Sequence, residues 1–354
     1  MPNRFFPRLI VALAFAASAS PATAAVALRG LLFDDGGPRP SWFERYQDSR
    51  QGPETIDKTS QTFKVDASAA LDLTGIAGDV RVTGGSGNEI RIEATKRVRH
   101  RSADEAKRLL SELRVEMNNF NGRVEVRSVY PRRSSSGDRG FSGRIDYVIA
   151  VPTGASVAVK SISGDVIVSG VRGEVRAETI SGDVGVDSAP NLALAKTVSG
   201  DVTARDAGGA TTMVLSTVSG SVIASGLKVR TLEAGSVSGN VRLSGTQVER
   251  VEAKSVSGNI DFDAPLLKAG RYAFTSHSGN VRIILSGNTG FELDADTFSG
   301  SVRSDVPVTL RTVGRSDPDR RRGSSNRAIR GAYGDASALV SVRSHSGSVV
   351  ITKK

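Results

Sequence analysis

Three aspartates, Asp165, Asp183 and Asp201, recur at intervals of 18 residues, each directly after a Ser-Gly pair. If each interval is one turn of a stacked β-structure, the carboxylates stand about 4.8 Å apart. Carboxylates so placed repel one another and suit a hard cation such as calcium, which takes oxygen ligands. The same column continues, however, as Ser221, Asn240, Asn259, Asn280, Ser301 and Ser348. Asp, Asn and Ser share an ability to bond nearby backbone at a turn, so the drift among them favours a structural turn ladder over a calcium site. Asp261, Asp263 and Asp296 raise paired-carboxylate glycosidase or lyase chemistry, although carboxylates scattered on a wet face usually serve only solvation. The three histidines, His100, His277 and His345, form no metal-ligand spacing. No serine stands out as a nucleophile, because every repeat carries the same one. The absence of cysteine excludes disulfides and thiolate metal sites. These residues imply no cofactor and a non-enzymatic protein.

Arginine offers a different chemistry. Arg311, Arg315, Arg320, Arg321, Arg322, Arg327 and Arg330 lie amid Gly, Ser and Asp in a 47-residue gap between two repeat glycines. Guanidinium forks bind phosphate and carboxylate bidentately, which makes these seven candidate contacts to a polyanion. The alternative is that they keep an exposed loop soluble and block edge pairing. Two smaller clusters, Lys96, Arg97, Arg99, His100 and Arg101, and Arg132, Arg133 and Arg139, invite the same two readings. The formal charge is +10, or +8 without Arg4 and Arg8, a balance that attracts anionic partners at long range.

The elements that must position these residues are written as a repeat. Nine times the chain spells Ser-Gly, then Asp, Asn or Ser, then Val or Ile, with glycines at Gly164, Gly182, Gly200, Gly220, Gly239, Gly258, Gly279, Gly300 and Gly347. Their spacings are 18, 18, 20, 19, 19, 21, 21 and 47, the mark of stacked units that slip at their corners. Seven and five residues before the glycine stand apolar columns, for example Val157 and Val159, Val175 and Ala177, Ala193 and Ala195. Polar residues alternate with them. Two and four residues after the glycine the pattern resumes, as in Val166 and Val168. A two-residue period means strands with one buried and one wet face. The predicted fold is all-β: a single-stranded parallel β-solenoid with rungs of about 19 residues, its thin core consistent with only 38% hydrophobic and 5% aromatic residues.

Leu71, Leu73, Gly78-Asp79-Val80 and Val82 extend the columns upstream, so the solenoid is expected to begin near Phe63, with N-terminal rungs over 63–150 and the regular array over 151–354. Ser102 to Glu105 has the spacing of a capping box, opening a helix over about 103–113 that would cover an end or side of the stack. The 47-residue gap predicts a projecting basic loop over about 305–338. Residues 25–62, with Pro38, Pro40 and Pro53, read as a linker. Met1 to Ala24 carries Arg4 and Arg8, an apolar run from Leu9 to Ala17 and Ala22-Thr23-Ala24, the form of a cleavable signal peptide. That run is too short for a mature membrane anchor, and no later segment is long enough for a transmembrane span.

With its in-register Ser-Gly-Asp-Val and Ser-Gly-Asn-Val copies, the stretch from Phe63 to Lys354, including Arg330-Gly-Ala-Tyr-Gly-Asp, resembles the bacterial putative-adhesin family of exported β-solenoids. That resemblance brings no catalytic residues. It implies an adhesin-like binding or structural protein of the cell envelope, periplasmic or at the cell surface. The expected partner is an anionic envelope polymer, lipid headgroup or surface glycan rather than nucleic acid. The alternatives are a scaffold docking another envelope protein and, third, a polysaccharide-active enzyme.

Overall fold

The computed structural model describes residues 54–100, 102–131, 142–310 and 327–354. Its N-terminal part holds β1 (Glu54–Lys64), β2 (Ala70–Thr74), β3 (Val80–Gly85), β4 (Glu89–Arg99), helix α1 (Ala103–Glu112), β5 (Arg114–Phe120), β6 (Arg123–Val129) and β7 (Ser142–Pro152). The regular repeats follow as β8 (Ser156–Lys160), β9 (Val166–Ser169), β10 (Val175–Glu178), β11 (Val184–Asp187), β12 (Leu192–Lys196), β13 (Val202–Arg205), β14 (Gly208–Ser219) and β15 (Val222–Ser225). They continue through β16 (Lys228–Ser238), β17 (Val241–Ser244), β18 (Gln247–Ser257), β19 (Ile260–Ala264), β20 (Arg271–Ser278) and β21 (Val281–Leu285). The C-terminal strands are β22 (Phe291–Ser299), β23 (Val302–Ser304), β24 (Thr309–Leu310), β25 (Arg327–Tyr333), β26 (Ala338–Ser346) and β27 (Val349–Lys353).

Among the described residues these strands form two long, mostly parallel sheets. Sheet A has 13 strands in the order β1-β4-β7-β3-β9-β11-β13-β15-β17-β19-β21-β27-β23. Sheet B has 14, in the order β24-β25-β22-β26-β20-β18-β16-β14-β12-β10-β8-β2-β6-β5. Each repeat places one strand in sheet B and the next in sheet A, with Ser-Gly at the crossing, and like residues meet like across the ladder, as Val166 with Val184 and Val184 with Val202. The inward columns are buried, from Leu71 and Leu73 through Val157, Val175 and Met213 to Val340 and Ile351. One column differs from the expectation: a bulge pairs Val175 with Leu192 and Arg176 with Leu194, so the larger Leu192, rather than Ala193, fills the interior there. Toward the C-terminus the core holds Phe262, with the Tyr272 and Phe274 rings 5.6 and 5.3 Å from it. The Tyr272 hydroxyl keeps its burial inexpensive by donating to the Val248 carbonyl at 3.0 Å and accepting from the Leu267 N–H at 2.8 Å.

The repeat glycines sit where neighbouring turns touch. A Cβ on Gly182 would lie 2.3 Å from the Gly164 carbonyl oxygen, and one on Gly347 2.1 Å from that of Gly279. Gly182 also has a φ of +137°, a region that L side chains rarely enter.

Both ends depart from simple sequential stacking. The last repeat, β26 and β27, lies between β20–β21 and the preceding repeat β22–β23 in both sheets. At the other end the first repeat, β2 and β3, lies between β8–β9 and the later strands β6 and β7. Each terminal repeat therefore lies inside the stack instead of at its end, with a hydrogen-bonded neighbour on either side. The 47-residue gap makes this geometry reachable. Its later part, expected within the projecting loop of about 305–338, instead returns as β25, antiparallel to β22 on that strand's outer side, before the chain enters β26. Residues 54–62, expected as linker, belong to β1, which pairs antiparallel with β4 along its whole length. Helix α1 begins at Ser102, whose Oγ accepts the Glu105 N–H at 3.4 Å, and buries Ala106 and Leu109 while packing on β1 and β4. No helix among the described residues is long and apolar enough to cross a membrane.

Candidate binding face

Where each sheet B strand turns toward sheet A, the two-residue alternation carries three columns through the corner. The serine or threonine three residues before the repeat glycine points inward. From Thr179 to Ser344, these hydroxyls donate to the carbonyl of the neighbouring turn's glycine at 2.8 to 3.5 Å. The residue after the glycine forms a second ladder. Asp165 Oδ1 accepts the Asp183 N–H at 2.8 Å, Asp183 Oδ1 that of Asp201 at 2.8 Å, and Asp201 Oδ1 that of Ser221 at 2.7 Å. Asn240, Asn259 and Asn280 repeat the same bond, each at 2.9 Å. One oxygen of each amide or carboxylate is thus committed to the next turn's backbone, and no group of three or more His, Cys, Asp or Glu among the described residues is arranged to hold a metal ion.

The third column, two residues before the glycine, is apolar yet faces solvent. In spatial order it runs Ile76, Ile162, Ile180, Val198, Val218, Val237, Val256, His277, His345 and Phe298, all exposed. The last three rings stack: His277 on His345 at 4.7 Å and His345 on Phe298 at 5.0 Å, each pair within 2° of parallel. At about 4.8 Å per strand the ten side chains form a stripe of roughly 40 Å along one edge of sheet B. Alternation predicts this outward direction from the inward columns at minus seven, minus five and minus three. The sequence signal is the coincidence of an outward parity with β-branched apolar residues.

Beside the stripe, the column four residues before the glycine carries Lys160, Glu178, Lys196, Ser216, Gly235, Lys254, Thr275, Arg343 and Asp296. Its small members leave a shallow trough of about 640 Å³ whose lining includes Ser216, Gly235, Val237, Val256, His277 and Arg343. Lys254 is held by the Glu252 carboxylate, whose hydrogen bond raises the ammonium pKa. Arg343 makes no ion pair among the described residues, although Asp296 is its register partner on β22.

A family model described as Toastrack DUF4097 matches residues 79–352. The chain belongs to that family. Solved structures similar to this chain include a putative adhesin from Bacteroides fragilis, 12% identical, covering 83% of this chain and 97% of that one at a TM-score of 0.38. A protein from Parabacteroides distasonis, described as a putative lipid binding protein, is 11% identical over 84% of this chain and 97% of its own, at a TM-score of 0.39. A putative cell adhesion protein from Clostridium sporogenes is 10% identical over 85% of this chain and 100% of its own, at 0.25. Comparison with curated proteins gives no match.

The residues singled out for polyanion binding fall unevenly on the structure. Arg311, Arg315, Arg320, Arg321 and Arg322 lie outside the described residues, as do Arg101, Arg132, Arg133 and Arg139. Arg327 opens β25, and Arg330, on the same strand, pairs with Asp294 at 2.9 Å. In the upstream cluster, Lys96 pairs with Asp57 at 2.9 Å and Arg97 with Asp146 at 2.9 Å, while Arg99 reaches Glu54 at 3.6 Å. That cluster ties β1, β4 and β7 together instead of standing open to a ligand. The carboxylates considered for glycoside chemistry are not assembled: Asp261 and Asp263 lie on β19 in sheet A, bound to Arg242 at 3.7 Å and Lys354 at 2.6 Å, whereas Asp296 is on β22 in sheet B.

Proposed function

We propose that the protein is an exported, non-enzymatic, adhesin-like component of the cell envelope. It holds an anionic envelope polymer, lipid headgroup or surface glycan against the outer face of sheet B. In the finer fold reading, one parallel β-solenoid with rungs of about 19 residues presents that face as a regular lattice. The carrying observation is the stripe from Ile76 to Phe298, ten exposed apolar or aromatic side chains in one column. A soluble chain does not keep so long a contiguous apolar track in water without use for it. The hydroxyl and carboxylate ladders beside it are committed to backbone, which argues for surface contact over catalysis. Arg311, Arg315, Arg320, Arg321, Arg322 and Arg327 supply cationic groups for such a ligand, and export rests on the leader-like residues Met1 to Ala24.

Binding of the protein to lipopolysaccharide, peptidoglycan, anionic liposomes and neutral glycans, at low and physiological salt, tests this reading. Two variants accompany it: Val218→Ser with Val256→Ser in the stripe, and Arg320, Arg321 and Arg322 all changed to Ala. The expected result is binding to one anionic component, weakened by salt and by both variants. Binding that neither variant weakens would remove the stripe and the arginines from the contact. No binding at all would favour the second reading, docking of an envelope protein. The observation favouring that reading is β1, an 11-residue strand that among the described residues is hydrogen-bonded on one side only, the kind of edge that accepts a strand from a partner.

A further inference from the structure

Gly235 lies in the middle of β16 with no backbone reason to be glycine: its φ is not in the left-handed region, and a Cβ there would meet only the Lys254 carbonyl oxygen, at an ordinary 3.7 Å. This contrasts with the repeat glycines, where a Cβ would strike the neighbouring strand. Glycine weakens a strand interior, and where the backbone does not call for it, it often marks a place that something else approaches closely. Gly235 is the floor of the trough on sheet B, whose lining is chiefly apolar and runs across β14, β16, β18, β20 and β26. Five strands at about 4.8 Å give it a length of roughly 19 Å along the stack.

The two ends of the trough differ. At the β14–β16 end the lining is Ser216, Thr217, Gly235, Ser236 and Val237; at the β20–β26 end it is Thr275, His277, Arg343 and His345. Lys254, between them, is engaged by Glu252, which leaves Arg343 as the unpaired cation among the described lining residues. The histidine rings are stacked face to face, so their polar edges, not their faces, are turned to the trough mouth. A sugar ring finds no aromatic face there to lie on.

We infer that the trough over Gly235 binds a phosphate-headed, single-chain envelope lipid, with its acyl chain lying along the stack and its head at Arg343. The inference rests on the proposed sheet B contact and names the ligand class for it. An acyl chain exploits the length, the apolar lining and the missing side chain, and a guanidinium fork matches phosphate oxygens.

Calorimetric titration of the full-length protein with palmitoyl lysophosphatidic acid below its micellar concentration tests it. Palmitoyl lysophosphatidylcholine and glycerol phosphate serve as comparison probes. The expected result is saturable binding of the lysophosphatidic acid, none of glycerol phosphate, and weaker binding of the choline lipid. Gly235→Leu, which fills the trough, should abolish binding, and Arg343→Ala should weaken it about tenfold, the scale of one charge-assisted hydrogen-bond pair. Ser216→Leu fills the same trough from β14 and serves if Gly235→Leu does not fold. Failure to bind the lysophosphatidic acid, or binding unchanged by the filled trough, would overturn the inference. Retained binding of anionic liposomes or lipopolysaccharide by Gly235→Leu, with no lysophosphatidic acid bound by either protein, would leave the broader contact standing and sink the trough alone.

Discussion

Replacing Gly182 by alanine should loosen the stack at one turn, and the structure sets the size of the effect. The new Cβ would lie 2.3 Å from the Gly164 carbonyl oxygen and 2.6 Å from its carbon, both backbone atoms of an adjacent turn. The chain must open by roughly 1 Å or leave its φ of +137°, and holding an L residue in such a conformation costs about 1–3 kcal/mol. Three hydrogen bonds sit on the hinge of that movement: Gly182 N–H to Ser199 O at 2.9 Å, Thr197 Oγ1 to Gly182 O at 2.9 Å and Asp183 N–H to Asp165 Oδ1 at 2.8 Å. Weakening two of them adds about 1–3 kcal/mol, for a total of about 2–6 kcal/mol. Gly235→Ala is the matched control, because its Cβ meets only an atom at 3.7 Å. It should be neutral or stabilising by up to about 1 kcal/mol. Urea unfolding followed by circular dichroism measures both, and hydrogen exchange at the Gly182 and Gly200 amides localises the change. If Gly182→Ala unfolds within about 1 kcal/mol of the parent, close approach is not why glycine stands at this corner.

The order of the last turns can be read chemically because the chain has no cysteine. Ala273 is the register partner of Ser341, which is the partner of Asp294. Ala273→Cys with Ser341→Cys should therefore oxidise to a disulfide, whereas Ala273→Cys with Asp294→Cys, two strands apart, should not; the reverse, on a non-reducing gel, would restore sequential stacking. Burial pushes the Tyr147 hydroxyl up to about 12, against the opposing hydrogen bond with Ser128. An unfolded tyrosine titrates near 10, so this group's stabilising contribution is complete below pH ~10 and is lost as the pH rises toward 12. The alkaline limb of a stability–pH curve should be shallower in Tyr147→Phe; an unchanged slope would count against that assignment. Asp183→Asn keeps the acceptor for the Asp201 N–H and should change stability by less than about 0.5 kcal/mol, while Asp183→Ala should cost about 1 kcal/mol. Equal losses in Asn and Ala, together with a calcium-dependent melting temperature in the parent, would point instead to the carboxylate charge and a cation.

Much of the interior is legible in the sequence, because its logic is local. Alternation at two residues separates inner from outer columns, and a repeated Ser-Gly brings each column into line with its copies, so Val166, Val184 and Val202 meet across the ladder. Where local size overrode position, the reading slipped: Leu192 displaced Ala193 because a bulge fills the interior better with the larger side chain. The exposed stripe was half legible. His277 and His345 share a repeat position with Ile and Val, but only the outward parity of that position turns the coincidence into a surface. Strand β1 could not be found by hydropathy. Glu54–Lys64 is exposed at nearly every residue, and its strand character comes from backbone pairing to β4 rather than from a buried face.

The sequence by itself determined the repeat, the buried columns, the corner glycines and the turn ladder, since each follows from which residues two or nineteen apart can share a face. It could not determine which turn stacks on which. Every repeat presents nearly the same columns, so many pairings satisfy the same local rules and the choice between them is made only at long range. Tertiary structure decided it. With β25 lying along the outer side of β22, the chain returns through β26 and β27 into the interior of the stack, where each strand gains a partner on both sides instead of one.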